Sequence, residues 1–438
     1  MNSPNGARRW FYVASSTILM ICFGTVYSWS YFQTPIMQAY GWNNAQVSLT
    51  FSFAIFFIGI AAAVGGILLS KTSPMRMALL GSILFSIGYF IAGYAFSIRS
   101  LALLYIGYGV VGGTGLGLGY VTPVTTIAKW FPDKKGLATG IVIMGFGLGA
   151  LLMSKVIAPL FISWHGGNLV AVFLSFAIFF AIFTIPASLT LRNPAQGWSP
   201  GNEISNRSSP PANGPEASRS RMPAFSLRQA SSDIFSIKFL LIWLVFFCNI
   251  TSGISIIGFQ SPMFQDLMHK IDSSLSPQAL ASMGATLIAT TSLFNGFGRL
   301  LWGAVSDSAG RIRTYRLMLG SELIIFIALI VIKNPWLFAI FFCWILLCYG
   351  GGFGIMPATI SELFGPEKMT IIYGVVLTAW SLGGVVGPQI TAFIKDKMPS
   401  QASMLSFIVG TAFIAMGFCF SLLIPAPGHP KHSASQPR

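Results

Sequence analysis

The chain has 438 residues, of which 54% are hydrophobic and 8% charged, with a mean hydropathy of +0.72. Soluble domains carry about 25% charged residues, so this composition excludes a soluble globular enzyme, a disordered chain and a small secreted fold held by disulfides. The formal charge of +15 would otherwise invite a nucleic-acid partner, but the basic residues lie between apolar runs, where membrane topology accounts for them.

The apolar runs are about twice as long as the alternating ten-residue segments of a membrane β-barrel. They predict an all-α membrane protein with twelve transmembrane helices, near 10–34, 46–69, 77–97, 101–128, 136–161, 167–191, 237–259, 281–305, 315–332, 336–360, 370–394 and 402–424. Arg8 and Arg9 precede a first run that is too long, and too aromatic (Trp10, Tyr27, Trp29, Tyr31), for a cleavable signal. Tyr27 and Tyr31 are four apart and share a helix face, and Gln33 lies near the outer end of the run. After the second run, GILLSKTSPMR (Gly66–Arg76) carries Lys71 and Arg76, with Ser70 where an acid is expected.

The fourth run contains GGTGLGLG (Gly112–Gly119) followed by Tyr120. No strand precedes it, so a nucleotide loop is excluded and close helix contact is the expected role. Lys155 lies in the outer part of the fifth run, where its long stem suits snorkelling to the interface or a role in the transport path. Residues 192–236 read RSSPPANGPEASRSR at their centre and form a flexible polar linker. The expected organisation is therefore a six-helix unit over 1–191, the linker, a second six-helix unit over 237–424, and a tail over 425–438.

In the second unit, Arg299 falls inside the eighth run. A guanidinium keeps its charge, so placing it in a membrane is costly unless it meets an anion or water. It can grip a carboxylate with two parallel hydrogen bonds, and snorkelling is the alternative. The loop that follows, GAVSDSAGRIR (Gly303–Arg313), sets Asp307 before Arg311 and Arg313. An acid and bases at such a corner can pair across to the neighbouring bundle and hold an inner gate closed, with Lys71 and Arg76 as the weaker first-half counterpart. Glu322, two turns into the ninth run, is the one clear intramembrane acid and is expected to pair with a loop arginine. The first half has no mid-span carboxylate, which favours antiport over a symport that uses one. Tyr349 and Phe353 share a face of the tenth run.

Cys22, Cys248, Cys343, Cys348 and Cys419 all lie in apolar runs without metal-ligand spacing. His165, His269, His429 and His432 lie in loops or the tail. No metal, redox cofactor or nucleotide site is expected.

Nineteen Lys and Arg fall on the side of the N-terminus and five on the other, with Lys155 and Arg299 inside the membrane. This asymmetry predicts cytoplasmic termini and linker in a cell membrane. The halves also repeat. A gapless shift of 234 positions sets Gly117 on Gly351, Pro123 on Pro357, Thr125 on Thr359, Pro132 on Pro366, Asp133 on Glu367, Lys134 on Lys368, Gly140 on Gly374 and Phe146 on Trp380. Two such pseudo-symmetric bundles can enclose a site at the midplane and rock around it.

Gly-x3-Asp-x2-Gly-Arg between the second and third helices of a six-helix unit resembles the major facilitator superfamily. Within it, YVTPVTTIAKWFPDKKGLATGIVIMGFGLGA (Tyr120–Ala150), GTVYSWSYF (Gly24–Phe32) and NGFGRLLWG (Asn295–Gly303) are similar to the oxalate/formate antiporter family. The resemblance implies that Arg299 receives a substrate carboxylate and that Tyr349 and Phe353 flank it. Those oxalate carriers have a lysine after Thr-Ala in the eleventh helix, where this chain has Trp380. One retained cation suits a monocarboxylate such as formate, lactate or pyruvate better than oxalate. The expectation is a secondary transporter of a small organic anion, working as a monomer, with Arg299, Tyr27, Tyr31, Tyr120, Tyr349, Phe353, Trp380 and Lys155 at the substrate path. A drug or siderophore-like cargo, or a non-transporting membrane sensor of the same fold, are the alternatives.

Overall fold

The computed structural model describes residues 4–69, 71–131, 135–194, 227–365 and 368–425. Most of the expected linker and tail, and Ser70, Pro132, Asp133, Lys134, Pro366 and Glu367 of the loop and repeat comparison, lie outside the described residues. Twelve long helices carry the fold: α1 (Arg9–Tyr40), α2 (Asn44–Leu68), α3 (Pro74–Ser97), α4 (Leu101–Trp130), α5 (Leu137–Trp164), α6 (Leu169–Thr190), α7 (Ile237–Ile271), α8 (Pro277–Ala309), α9 (Arg311–Val331), α10 (Pro335–Phe364), α11 (Ile371–Lys397) and α12 (Pro399–Leu423). Eleven are long and apolar enough to cross a membrane. The other, α8, matches them in length, but its Ser, Thr, Asn295 and Arg299 make it less apolar. A short helix, Leu227–Ile234, precedes α7.

Helix ends follow local chemistry. Asn43 and Gln46 form a reciprocal capping box at the start of α2. Ser73, Ser276 and Asn334 cap α3, α8 and α10, each followed by a proline in the first turn. Gly41 ends α1 at φ +73° and Gly310 separates α8 from α9 at φ +86°, a backbone region that L side chains avoid.

Twelve long helices in alternating direction set the start of α1 and the end of α12 on one face, here termed the terminal face, opposite the far face. Large apolar side chains such as Phe90, Ile178, Ile324 and Val331 are exposed on the perimeter, as lipid contact requires. Between the two sets of six helices, α2 packs along α11 and α5 along α8. Close approach at the second seam depends on bare backbone: a Cβ on Gly147 would lie 2.5 Å from the Gly296 Cα.

The far half of this interface is closed by polar contacts. Asp396, near the end of α11, accepts from the backbone N–H groups of Asn44 (3.2 Å) and Ala45 (2.9 Å) and from Asn44 Nδ2 (2.9 Å). Gln389 donates to Ser48 and Ser52, both at 3.3 Å. Ser292 Oγ donates to the Gly147 carbonyl at 2.5 Å and accepts from the Leu151 N–H at 3.1 Å. Toward the terminal face the helices part around a cavity of about 690 Å³.

Candidate functional site

Four of the long helices are interrupted: a 3-10 turn at Thr25–Ser28 in α1, π turns at Tyr105–Gly112 in α4 and Met153–Ile157 in α5, and a break at Leu377 in α11. Tyr27 sits in the first of these turns. Thr25 and Ser28 hydroxyls donate to the Cys22 and Thr25 carbonyls there, each at 2.6 Å.

Tyr27 closes a ring of aromatic side chains drawn from both halves. Its hydroxyl shares a 2.8 Å hydrogen bond with that of Tyr349. Its ring centroid lies 5.2 Å from Phe146 and 6.4 Å from Trp380. Tyr120 lies 5.1 Å from Phe146 and 5.5 Å from Trp380, and Phe353 is 5.0 Å from Trp380 and 5.4 Å from Tyr349. Most of these contacts are edge-to-face, which suits the ring quadrupoles.

Arg299 enters this ring from α8, at the inner end of the cavity. Backbone proximity positions it: a Cβ on Gly354 would be 2.3 Å from the Arg299 carbonyl oxygen, so α8 and α10 touch at bare backbone. The residue is 2% exposed. Its guanidinium carbon stands 5.0 Å from the Phe353 centroid and 5.5 Å from that of Phe146. None of its three nitrogens has a hydrogen-bond partner. Aromatic faces offset part of the charge, with about 2 kcal/mol for a desolvated contact, which is small beside the cost of a buried unpaired ion.

No described acid meets that guanidinium. Asp233 pairs with Lys368 and Asp266 with Lys395, each at 2.7 Å. Asp307 and Glu362 pair with Arg311 at 2.6 and 3.4 Å. Asp272 bonds to Ser274, Glu322 to Asn249, and Asp396 to the start of α2. Around Arg299, the Tyr120 and Tyr373 hydroxyls and Trp380 Nε1 are also buried without partners. The arrangement is one fixed positive charge, neutral hydrogen-bond donors and apolar ring faces. It suits one carboxylate on a small apolar body.

Six of the eight residues expected on the substrate path therefore come together: Arg299, Tyr27, Tyr120, Tyr349, Phe353 and Trp380. Tyr31 does not join them. The turn at Thr25–Ser28 changes the helical phase, and Tyr31 packs on Phe32 at 5.1 Å. Lys155 is exposed at the α5–α8 seam, with Nζ donating to Thr286 Oγ1 at 2.6 Å. Asp307 and Arg311 form their ion pairs within the second half, and Arg311 also bonds Ser306. Lys71, Arg76 and Arg313 are exposed at the terminal face.

Glu322 corrects an expectation. It pairs with Asn249 on α7 (3.1 Å) rather than with a loop arginine. The loop arginines have other work: Arg316 donates to the carbonyls of Ser421, Leu422 and Ile424 at the end of α12, a favourable use of a cation.

Phe146 and Tyr373 belong to the cluster but were not singled out by residue type. Phe146 was visible only as the repeat partner of Trp380. Tyr373 precedes Trp380 by seven residues, a spacing that returns to one helix face and is the signal that could have found it. Among the described residues no group of three or more His, Cys, Asp or Glu could hold a metal.

A family model of the Major Facilitator Superfamily matches residues 14–388. The chain is 25% identical to the oxalate:formate antiporter of Oxalobacter formigenes over 98% of this chain and 96% of that one. It is 27% identical to apicoplast pyruvate carrier 1 of Toxoplasma gondii, covering 83% of this chain and 72% of the relative. With monocarboxylate transporter 13 of Bos taurus it shares 24% identity over 95% and 92% of the two chains. In fold it matches the crystal structure of a bacterial homologue of the human lysosomal transporter Spinster, in an inward-facing, unoccupied conformation. That match has a TM-score of 0.68 at 17% identity and covers 97% of this chain and 98% of that one. This chain is therefore a membrane transporter rather than an enzyme, and it belongs to the Major Facilitator Superfamily.

Proposed function

We propose that this secondary transporter carries a small organic monocarboxylate by alternating access, exchanging one anion for another. The observation that carries the reading is Arg299: a permanent cation, 2% exposed, with no hydrogen-bond partner, at the end of a cavity between two helix bundles. Residues 1–191 and 237–424 are the two rocking units, joined by the linker 192–236. A single cation favours one carboxylate over two, and Trp380 supplies a flat apolar wall with one donor. Relatives named for oxalate and formate, pyruvate, and monocarboxylates support the chemical class.

The distribution of Lys and Arg orients both termini, and hence the cavity mouth, to the cytoplasm of a cell membrane. The far-half hydrogen bonds then belong to the outer gate. Asp307, Arg311 and Arg313, with Lys71 and Arg76, form the inner gate. In this reading Arg311 trades its partners in the second half for contacts across the mouth when that mouth shuts. The two halves of a single chain supply both walls of the cage, Tyr27, Tyr120 and Phe146 from the first and Arg299, Tyr349, Phe353 and Trp380 from the second, so one copy is sufficient to form the site and the functional unit is read as a monomer.

Counterflow in proteoliposomes against mono- and dicarboxylates tests the reading. Formate, lactate or pyruvate should exchange, oxalate poorly. Arg299→Ala should lower exchange by about 100-fold, the scale of losing a buried charged hydrogen-bonding group, and Arg299→Lys should recover only part. Normal exchange by Arg299→Ala, or no exchange of any carboxylate, overturns it.

A further inference from the structure

Glu322 lies outside the anion site and has no role in the exchange described above, yet it is the sole fully buried acid among the described residues, at 0% exposed. It sits eleven residues into α9, and Arg299 lies ten residues from the end of α8. At about 1.5 Å rise per residue the two stand at similar depth. The carboxyl has one hydrogen bond, from Asn249 Nδ2 to Oε2 at 3.1 Å. Its Oε1, and Asn249 Oδ1, have no partner.

The packed neighbours supply no counter-charge. On α9 itself, Arg311 is paired with Asp307 and Glu362, Arg316 holds the end of α12, and Arg313 is exposed. From α7 come Asn249 and Cys248, and Lys238 at the terminal-face end bonds to the Leu363 carbonyl. From α8 come Arg299, whose guanidinium lies between Phe146 and Phe353, and Asp307. From α10 come Cys343, Cys348, Tyr349 and Glu362, and α12 brings only the exposed Cys419. An ionised carboxylate among these groups would be a desolvated charge met by one neutral amide, a costly state inside a membrane.

We propose that Glu322 is a proton-binding site, loaded from one compartment and emptied to the other, that lets this carrier move a proton with its anion as well as exchange anions. The proton adds to Oε1, turning an unpartnered acceptor into a donor and removing the charge. It leaves from the same oxygen when the helices rearrange. A metal cation fits poorly, because hard cations take about six or more oxygen ligands and only two unpartnered oxygens belong to this pair.

Coupling to the anion site runs through α10. Gly352 lies against Asn249, where a Cβ would come 2.3 Å from Oδ1, and Tyr315 of α9 donates to the Gly352 carbonyl at 2.8 Å. Tyr349 and Phe353, on either side of Gly352 in sequence, face Arg299's ring. One helix therefore touches the acid pair on one side and the anion cage on the other, so a change in either shifts the same element.

The inference rests on the anion-transport reading, and the test separates the two. In proteoliposomes, the best exchanger among pyruvate, lactate and formate is measured in two modes: counterflow at equal pH, and net uptake driven by a proton gradient with a trapped pH dye. Counterflow tests the anion reading alone. The proton site predicts gradient-driven uptake with matching proton entry in the wild type. In Glu322→Gln, which keeps an acceptor for Asn249, that uptake falls at least about tenfold while counterflow stays within about twofold. Glu322→Asp retains coupling with a shifted pH midpoint and serves if the glutamine variant fails to fold. Uptake driven equally by a sodium gradient, coupled proton entry surviving in Glu322→Gln, or an unshifted midpoint in Glu322→Asp overturns the proposal. Infrared spectra give a readout independent of transport: a protonated carboxyl band present in the wild type and lost in Glu322→Gln supports it, and no such band across the pH range overturns it.

Discussion

Trp380 is the residue at which substrate choice is most exposed to experiment. Its ring lies 5.0 Å from Phe353, 5.5 Å from Tyr120, 6.0 Å from Phe146 and 6.4 Å from Tyr27, so a side chain there meets walls of the cage from both halves. A lysine at 380 would add a second cation beside Arg299. Trp380→Lys should therefore raise oxalate counterflow by about tenfold or more relative to formate, since a well-placed charged hydrogen bond contributes about 1.5–3 kcal/mol. An unchanged ratio in a folded variant would detach Trp380 from selectivity. The sequence makes Arg299 and Trp380 legible because each breaks a rule: a charge inside a span, and an aromatic where a lysine is familiar. Phe146 and Tyr373 break none. An aromatic in a chain with 38 phenylalanines carries no signal until the fold turns it inward. Glu322 was legible as an anomaly, but its partner was not, because Asn249 lies 73 positions away on a helix whose rotation sequence spacing does not fix.

At the scale of elements, the closed far half depends on the contact between α11 and α2. The Asp396 carboxylate meets the first N–H groups of α2 at 2.9 and 3.2 Å, where the helix dipole favours negative charge. That contact bridges the two halves and must break if the far face opens. Asp396→Asn keeps the size but removes the charge, weakening the bridge by about 1 kcal/mol or more. In a Cys419→Ser background with Ser48→Cys on α2, an impermeant maleimide applied to the far face should then react about fivefold or more faster than with Asp396 present. Equal rates would mean that other contacts hold the gate. The apolar runs made the positions of the helices readable, while the Ser73-Pro74, Ser276-Pro277 and Asn334-Pro335 caps set where three of them begin. The internal turns of α1, α4, α5 and α11 were not readable, because each answers to packing between helices rather than to local propensity. The turn at Thr25–Ser28 is what separates Tyr27 from Tyr31 despite their helical spacing.

At the scale of the molecule, polar seams close one half of the interface while a cavity of about 690 Å³ opens the other. Packed interfaces tend to be bistable rather than continuously deformable, so the opposite state should shut the mouth by moving whole bundles. The composition and the 234-residue repeat made this architecture readable, since they concern membrane crossing and pairing of halves rather than single contacts. They carried no information on which state the helices adopt, because two packings of one sequence differ by only a few kcal/mol. Thr72, in the loop between α2 and α3, and Ser308, near the end of α8, are both exposed at the terminal face and lie in different halves. Spin labels on cysteines at these positions should report the rocking directly. In lipid without substrate, the long distance of the open mouth should dominate. A saturating transported carboxylate should add a shorter population as the loaded carrier closes the mouth, and the same anion should leave the distribution of the Arg299→Ala variant unchanged. If the distance is insensitive to substrate in a protein that still exchanges anions, the halves do not rock about the cage. Transport would then proceed by local movements of the interrupted helices, with α1 and α11 the first to examine.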